Sequence, residues 1–186
     1  MSAAICRKAF HYIRTGTKRQ GRRKVALETT AGIPLLVLDT NVVLDWLVFV
    51  DARIQPVVDA LESGRLRWVA CPAMRQELVH MLGHASLARW SPDRPASLAH
   101  FDRLAELRPA PAANTHVGLR CSDADDQVFV DLALAEGARC LLTHDRALLK
   151  LARRAAPRGL CILRPAACGL DFADVKKGGR SRPFGP

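Results

Sequence analysis

Leu35-Leu36-Val37-Leu38-Asp39-Thr40-Asn41 is the stretch that decides the fold: four apolar residues in a row, then an acid, a hydroxyl and an amide. A short apolar run without polar alternation suits a strand buried on both faces, as in a parallel sheet, and an acid at its end lies where open α/β sheets place ligands. The same grammar returns at Cys140-Leu141-Leu142-Thr143-His144-Asp145.

Working outward, short apolar runs alternate with segments of helical period from residue 33 onward, which predicts βαβ units and an α/β fold with a central parallel sheet flanked by helices. Strands are expected at 35–38, 67–71, 139–142 and 160–163. The apolar set from Val42 to Val50 predicts a helix too apolar to face solvent all round, and Val57, Val58 and Leu61 a second one stopping at Ser63-Gly64. Pro72 opens a helix running through Glu77 to about Leu82, at a position where its missing N–H costs nothing. Within 84–118, SPDRP reads as a turn, Leu98, Phe101, Leu104 and Leu107 as a helix, and 109–115 as loop or weak edge strand. Ser122-Asp123-Ala124-Asp125 resembles a capping box opening a helix to Gly137, with Asp126 in its first turn. A last helix is expected at 146–153.

A length of 186 residues suits one domain with tails, and the net charge of +10 divides unevenly. Residues 1–32 carry eight Lys/Arg against Glu28, +7; residues 176–186 carry four and no acid, +4; the remaining 33–175 come to −1. The reading is therefore a basic extension at 1–32, a domain at 33–170 and a basic tail at 171–186. Both tails hold too little apolar surface to offset ordering entropy, so they are expected to be mobile. They serve either as solvated charge or as arms that raise the on-rate for a polyanion. No run approaches the ~20 apolar residues of a membrane span and no signal-peptide core is evident, which predicts a cytoplasmic protein. Six scattered cysteines without zinc-site spacing read as small buried hydrophobes in a reducing compartment.

Four acids then stand where a parallel sheet would gather them: Asp39, Glu77, Asp126 and Asp145. Crowded carboxylates repel one another unless a cation neutralises them, and hard oxygen donors favour Mg²⁺ or Mn²⁺. Two such ions can activate a water and stabilise the leaving oxygen of a phosphodiester. Each acid also has a plainer reading. Asp39 and Asp145 can cap the helices that follow them, Glu77 can face solvent, and Asp123 and Asp125 can serve the helix dipole. Glu77, His80 and His84 fall at helical spacing, but no second E-x-x-H completes a carboxylate-bridged centre, so His80 and His84 read as surface or groove residues. Asn41 stands where a haloacid-dehalogenase phosphatase needs its second Asp. The Asp and Lys pattern of a receiver domain is missing, and no phosphate-binding glycine loop occurs.

Together, Asp39-Thr40-Asn41 after its strand, Glu77 in P-x-x-x-x-E-L, D-A-D-D-Q-x-F-x-x-L-A at 123–133 and T-H-D at 143–145 before ALLKL resemble the PIN-domain family, over roughly residues 33–166. The likeness is to the branch that supplies toxin components of toxin–antitoxin systems. It implies a three-layer fold and a Mg²⁺- or Mn²⁺-dependent endoribonuclease acting on single-stranded RNA, with an antitoxin protein and often a homodimer as partners. By position, Asp39, Glu77, Asp126 and Asp145 match the family's acidic quartet, Asp123 is an additional or alternative metal ligand, and Thr40, Asn41 and Thr143 match the supporting polar residues. His144 occupies a variable position. A catalytically silent RNA- or protein-binding module and a metal-dependent DNA or flap nuclease stay as alternatives, because the same acids can cut either polymer.

Overall fold

The computed structural model of the chain describes residues 32–112 and 118–168. The expectations for the two tails, apart from Gly32, and for 113–115 of the segment read as loop or weak edge strand, lie outside these residues.

Five strands, β1 (Leu35–Leu38), β2 (Arg67–Ala70), β3 (Ala105–Leu107), β4 (Cys140–Leu142) and β5 (Cys161–Leu163), form one sheet in the order β3-β2-β1-β4-β5. Every pairing is parallel, with Leu36 of β1 set between Trp68 of β2 and Cys140 of β4. The unbroken apolar run of β1 is explained by this central place: Leu36, Val37 and Leu38 are buried, with neighbours on both faces and both edges.

Helices α1 (Thr40–Leu47), α2 (Gln55–Glu62), α3 (Pro72–Leu82), α4 (Arg94–Leu104), α5 (Gln127–Ala135), α6 (Arg146–Lys150) and α7 (Ala152–Ala155) make the connections. From β1 the chain first moves outward through β2 to β3, then returns by α5 to β4 on the other side of β1. The order therefore reverses between β1 and β4, and the crevice outside their carboxyl ends is the switch point at which such sheets bind ligands. α5 packs on both β1 and β4, immediately under that crevice. On the opposite wing, buried Trp68 of β2 meets Phe101 of α4 edge-on at 4.7 Å and Trp46 of α1 at 6.4 Å, joining three elements through one aromatic cluster.

Several boundaries differ from expectation for identifiable reasons. The first helix stops at Leu47, so Phe49 and Val50 lie outside it, and Val50 is 80 % exposed with φ of +50°. A strand lies at Ala105–Leu107, where the apolar spacing predicts a helix that includes Leu107: Ala105 leaves α4 in extended conformation and pairs with Trp68, while 109–112 are loop, one of the two readings of 109–115. Glu106 is held there by Arg67 and Arg108. The expected capping box does not open a helix, because Asp123 instead accepts from the Asp125 N–H in a local turn, at 3.1 Å, and α5 starts only at Gln127. Asp126 is thus the residue before the helix rather than part of its first turn. The last helix divides into α6 and α7 at Leu151, which stays right-handed helical.

Among the described cysteines all are free; Cys71 and Cys140 are buried and Cys121, Cys161 and Cys168 half-buried. Contact with Cys161 pulls the Cys140 thiol down while contact with Cys168 and burial push it up, leaving it at about 12. The Cys161 thiol is raised by its contact with Cys140 and by burial. Cys71 and Cys140 thus fit the expectation of small buried hydrophobes, whereas the other three described cysteines are only partly enclosed. No helix of the described residues is long and apolar enough to cross a membrane.

Candidate functional site

The switch-point crevice is built around Asp39. Its backbone extends the ladder by donating to the Leu142 carbonyl at 3.0 Å, and Thr143 does the same one strand further, to Leu163 at 3.0 Å. Asp39 then turns the chain into α1 as its capping residue and is buried, only 2 % exposed. A buried carboxylate needs partners. The Asn41 N–H and side-chain amide donate to it at 3.5 and 3.4 Å, and the buried Thr143 hydroxyl donates to Oδ2 at 2.6 Å. That same hydroxyl accepts from the Asp145 N–H at 2.8 Å, so one oxygen ties the end of β1 to the loop after β4. Asp145 in turn caps α6, its Oδ1 accepting from the N–H groups of Ala147 and Leu148 at 2.6 and 3.1 Å.

The capping readings of Asp39 and Asp145 are therefore both correct, and they leave the acids adjacent. Burial pushes the Asp39 carboxyl above its ordinary value, the hydrogen bonds from Thr143 and Asn41 oppose this, and the charge of Asp145 adds to the rise. A carboxylate kept costly by burial and by a like charge is an electrostatic demand for a cation.

The other matched residues are more dispersed. Asp126 is 5 % exposed at the start of α5, which runs back from the carboxyl edge to enter β4. Glu77 is half-buried one and a half turns into α3, Asp123 is half-buried in the turn before α5, and Thr40 is buried as the first residue of α1. Among the described residues there is no group of three or more His, Cys, Asp or Glu side chains placed to hold a metal ion. The donor chemistry, hard carboxylate oxygens, fits Mg²⁺ or Mn²⁺; the pair that is drawn together is Asp39 with Asp145. His84 falls beyond the end of α3 and caps the short 3₁₀ turn Ala85–Trp90, its Nδ1 accepting from the Ser86 N–H at 3.2 Å. The idea of Glu77, His80 and His84 along one helix face ends there.

Two buried polar contacts beside the site were not expected from sequence. His144 Nε2 lies 2.6 Å from Asp45 Oδ2 of α1, both groups nearly enclosed, with Arg164 Nη1 3.5 Å from the other ring nitrogen. Gln127 bridges three places at once: its Nε2 donates to the Leu119 carbonyl at 3.0 Å and to buried Asp131 at 2.9 Å, and its Oε1 accepts from the Cys121 N–H at 2.7 Å. It thereby pins the 119–121 segment next to Asp126. The available signal was an acid inside an apolar helical run, Asp45 in VVLDWL and Asp131 in VFVDLA, since such an acid must find a partner when buried.

With this geometry, comparison with known proteins is informative. A family model described as PIN domain matches residues 35–147, a span holding Asp39, Glu77, Asp126 and Asp145 and every strand but β5. No curated protein matches the sequence. Among solved structures, a chain from the crystal structure of VapBC2 from Rickettsia felis bound to a DNA fragment from their promoter superposes with a TM-score of 0.50 at 18% identity. The superposition covers 70% of this chain and 97% of that one, a likeness of fold.

Proposed function

The chain belongs to the PIN-domain family, and from that premise we propose that it is a Mg²⁺- or Mn²⁺-dependent endoribonuclease hydrolysing phosphodiester bonds of single-stranded RNA. The observation that carries the reading is the buried Asp39 carboxylate at the switch point, joined to Asp145 through the Thr143 hydroxyl. Helix capping accounts for an acid at each position, but a neutral serine, threonine or asparagine caps as well without setting a second negative charge beside a buried one.

Asp39, Glu77, Asp126 and Asp145 would hold the metal, with Asp123 as an additional or alternative ligand. When bound, the metal supplies a water of lowered pKa and a charge to stabilise the leaving oxygen. The protein's share is orientation: Asn41 and Thr143 fix the Asp39 carboxylate, the α6 N–H groups fix Asp145, and Gln127 steadies the segment beside Asp126. Residues 33–170 form the nuclease domain in this reading.

The fold neighbour comes from a VapBC2 complex, which supports a place for this protein as the toxin of a toxin–antitoxin pair with an antitoxin partner; a cytoplasmic location and homodimerisation complete the proposal. A second reading, a catalytically silent RNA- or protein-binding module, is favoured by the lack of a three-donor grouping among the described residues. A metal-dependent DNA or flap nuclease would use the same acids.

Cleavage of a labelled single-stranded RNA in Mg²⁺, Mn²⁺ or EDTA separates these readings, with Asp39→Asn, Asp126→Asn and single-stranded DNA in parallel. Metal-dependent RNA cutting lost in both variants is expected. Cutting of DNA in preference to RNA selects the alternative nuclease, and a folded wild type that neither cuts nor binds Mn²⁺ selects the silent module.

A further inference from the structure

The helical segment that leaves Asp145 is unusual in its charge. Between Arg146 and Arg158 the sequence places five basic residues and no acid. Leu148, Leu151 and Ala155 turn inward and are buried, while Arg146, Lys150, Arg153 and Arg154 are exposed. These four stand at i, i+4, i+7 and i+8, so they share one face of α6–α7.

On other parts of the surface five arginines meet acids, Arg53 with Asp51, Arg67 with Glu106, Arg75 with Asp102, Arg103 with Glu62, and Arg108 with Glu106 and Glu136, while Arg89, Arg94 and Arg120 stand apart from one another in the sequence without such a partner among the described residues. Arg146, Lys150, Arg153 and Arg154 form no ion pair with any of the described residues. Four like charges on one helical face repel one another, a cost that an anionic ligand would relieve.

We propose that this face of α6–α7 is a track for the sugar-phosphate backbone of single-stranded RNA, leading the strand to the acid site at Asp145. The proposal rests on the ribonuclease reading above and names a binding surface for its substrate. At ~1.5 Å per residue the four cations span about 12 Å, room for about three phosphates of a stacked strand. The track begins one residue after Asp145. An acidic site repels the phosphates it must cut, so cations beside it have to hold the strand in place. That continuity favours RNA over an acidic segment of a partner protein, which would have no need to begin at the acids.

The test is Lys150→Gln/Arg153→Gln/Arg154→Gln in the full chain; these side chains are exposed, and an unchanged urea midpoint shows that the fold is intact. Affinity for labelled single-stranded RNAs of several sequences is measured in EDTA across 50–200 mM KCl, with cleavage in Mn²⁺ assayed separately. Because each neutralised phosphate adds about 0.7 to the slope of log K against log salt, the triple variant should lose about 2 from that slope, equally for all sequences. The wild type's affinity should then fall about 20-fold more than the variant's between the two salt limits. A slope within 0.5 of wild type, or no RNA binding by wild type, overturns the proposal. So does a variant that binds RNA like wild type but loses affinity for a polyglutamate peptide, which would make the face a protein-docking surface. Reduced slope without metal-dependent cutting by wild type would uphold the track and remove the nuclease, whereas cutting by wild type with an unchanged slope would do the reverse.

Discussion

Thr143→Val is the most searching perturbation of the site. The two side chains have nearly the same shape, so in a position with no solvent exposure the change removes one oxygen and little else. That oxygen donates to Asp39 at 2.6 Å and accepts from the Asp145 N–H at 2.8 Å. A hydrogen bond to a charged group contributes about 1.5–3 kcal/mol and an ordinary one about 0.5–1.5, so a loss of about 3 kcal/mol is expected. This is a large share of the roughly 5–15 kcal/mol that holds a domain folded. Thr143→Ser keeps the hydroxyl and loses only a methyl, at about 1 kcal/mol. Urea unfolding of the metal-free full chain measures both, and a cycle with Asp39→Ala isolates the contact. The coupling between the two sites should be about 2 kcal/mol. Coupling below about 0.5 kcal/mol, or serine as costly as valine, would refute the claim that this hydroxyl joins β1 to the loop after β4.

Asp45→Ala should destabilise by about 1–3 kcal/mol in the same assay, because His144 Nε2 would be left without its carboxylate in a nearly closed site; RNA cutting should fall too, since His144 sits between Thr143 and Asp145. The pH dependence of stability should have two opposed parts. Arg53, Arg75 and Arg67 hold Asp51, Asp102 and Glu106 below the ordinary carboxylate range, so their contribution is full above that range and is lost as pH falls through the lowered values. Asp39 is raised by burial, so its ionisation costs the metal-free fold stability as pH climbs from the ordinary value through the raised one. Urea midpoints of Asp39→Asn and wild type in EDTA between pH 4 and 8 should therefore shift in the variant's favour as pH rises; a gap that is flat or moves the other way contradicts the burial argument. Val50→Asn should raise stability by about 1 kcal/mol, since a β-branched residue at φ of +50° is strained where asparagine is tolerated; thermal denaturation giving an equal or lower midpoint would show the loop absorbs that strain.

How much of this was legible beforehand follows from where the information lies. An apolar run of four before Asp39 and one of three at 140–142 announce a parallel sheet, because a strand buried on both faces cannot alternate. Pro72 marks its helix start by its missing N–H. Residues 105–107 carried no such mark: a three-residue edge strand is made by pairing to Trp68, a partner distant in sequence, and Leu107 fits a helical stripe equally well. The Ser-Asp-Ala-Asp segment misled because Asp123 satisfies a local turn as readily as a helix end.

By itself the sequence determined the class of fold, the order of elements apart from β3, and the acids that end β1 and follow β4, since these depend on residue type and local spacing. Only the tertiary structure decided that one threonine hydroxyl serves Asp39 and Asp145 together, and that Asp45 meets His144 across 99 positions. It also decided that no acid of the described residues, from any element, comes within ion-pair range of the cations after Asp145, whose common face follows from helical spacing alone. The physical reason is common to all three: hydrogen bonding and charge act through a few ångströms of space, and the chain order that brings two groups within that range is set by strand order, which no local spacing encodes.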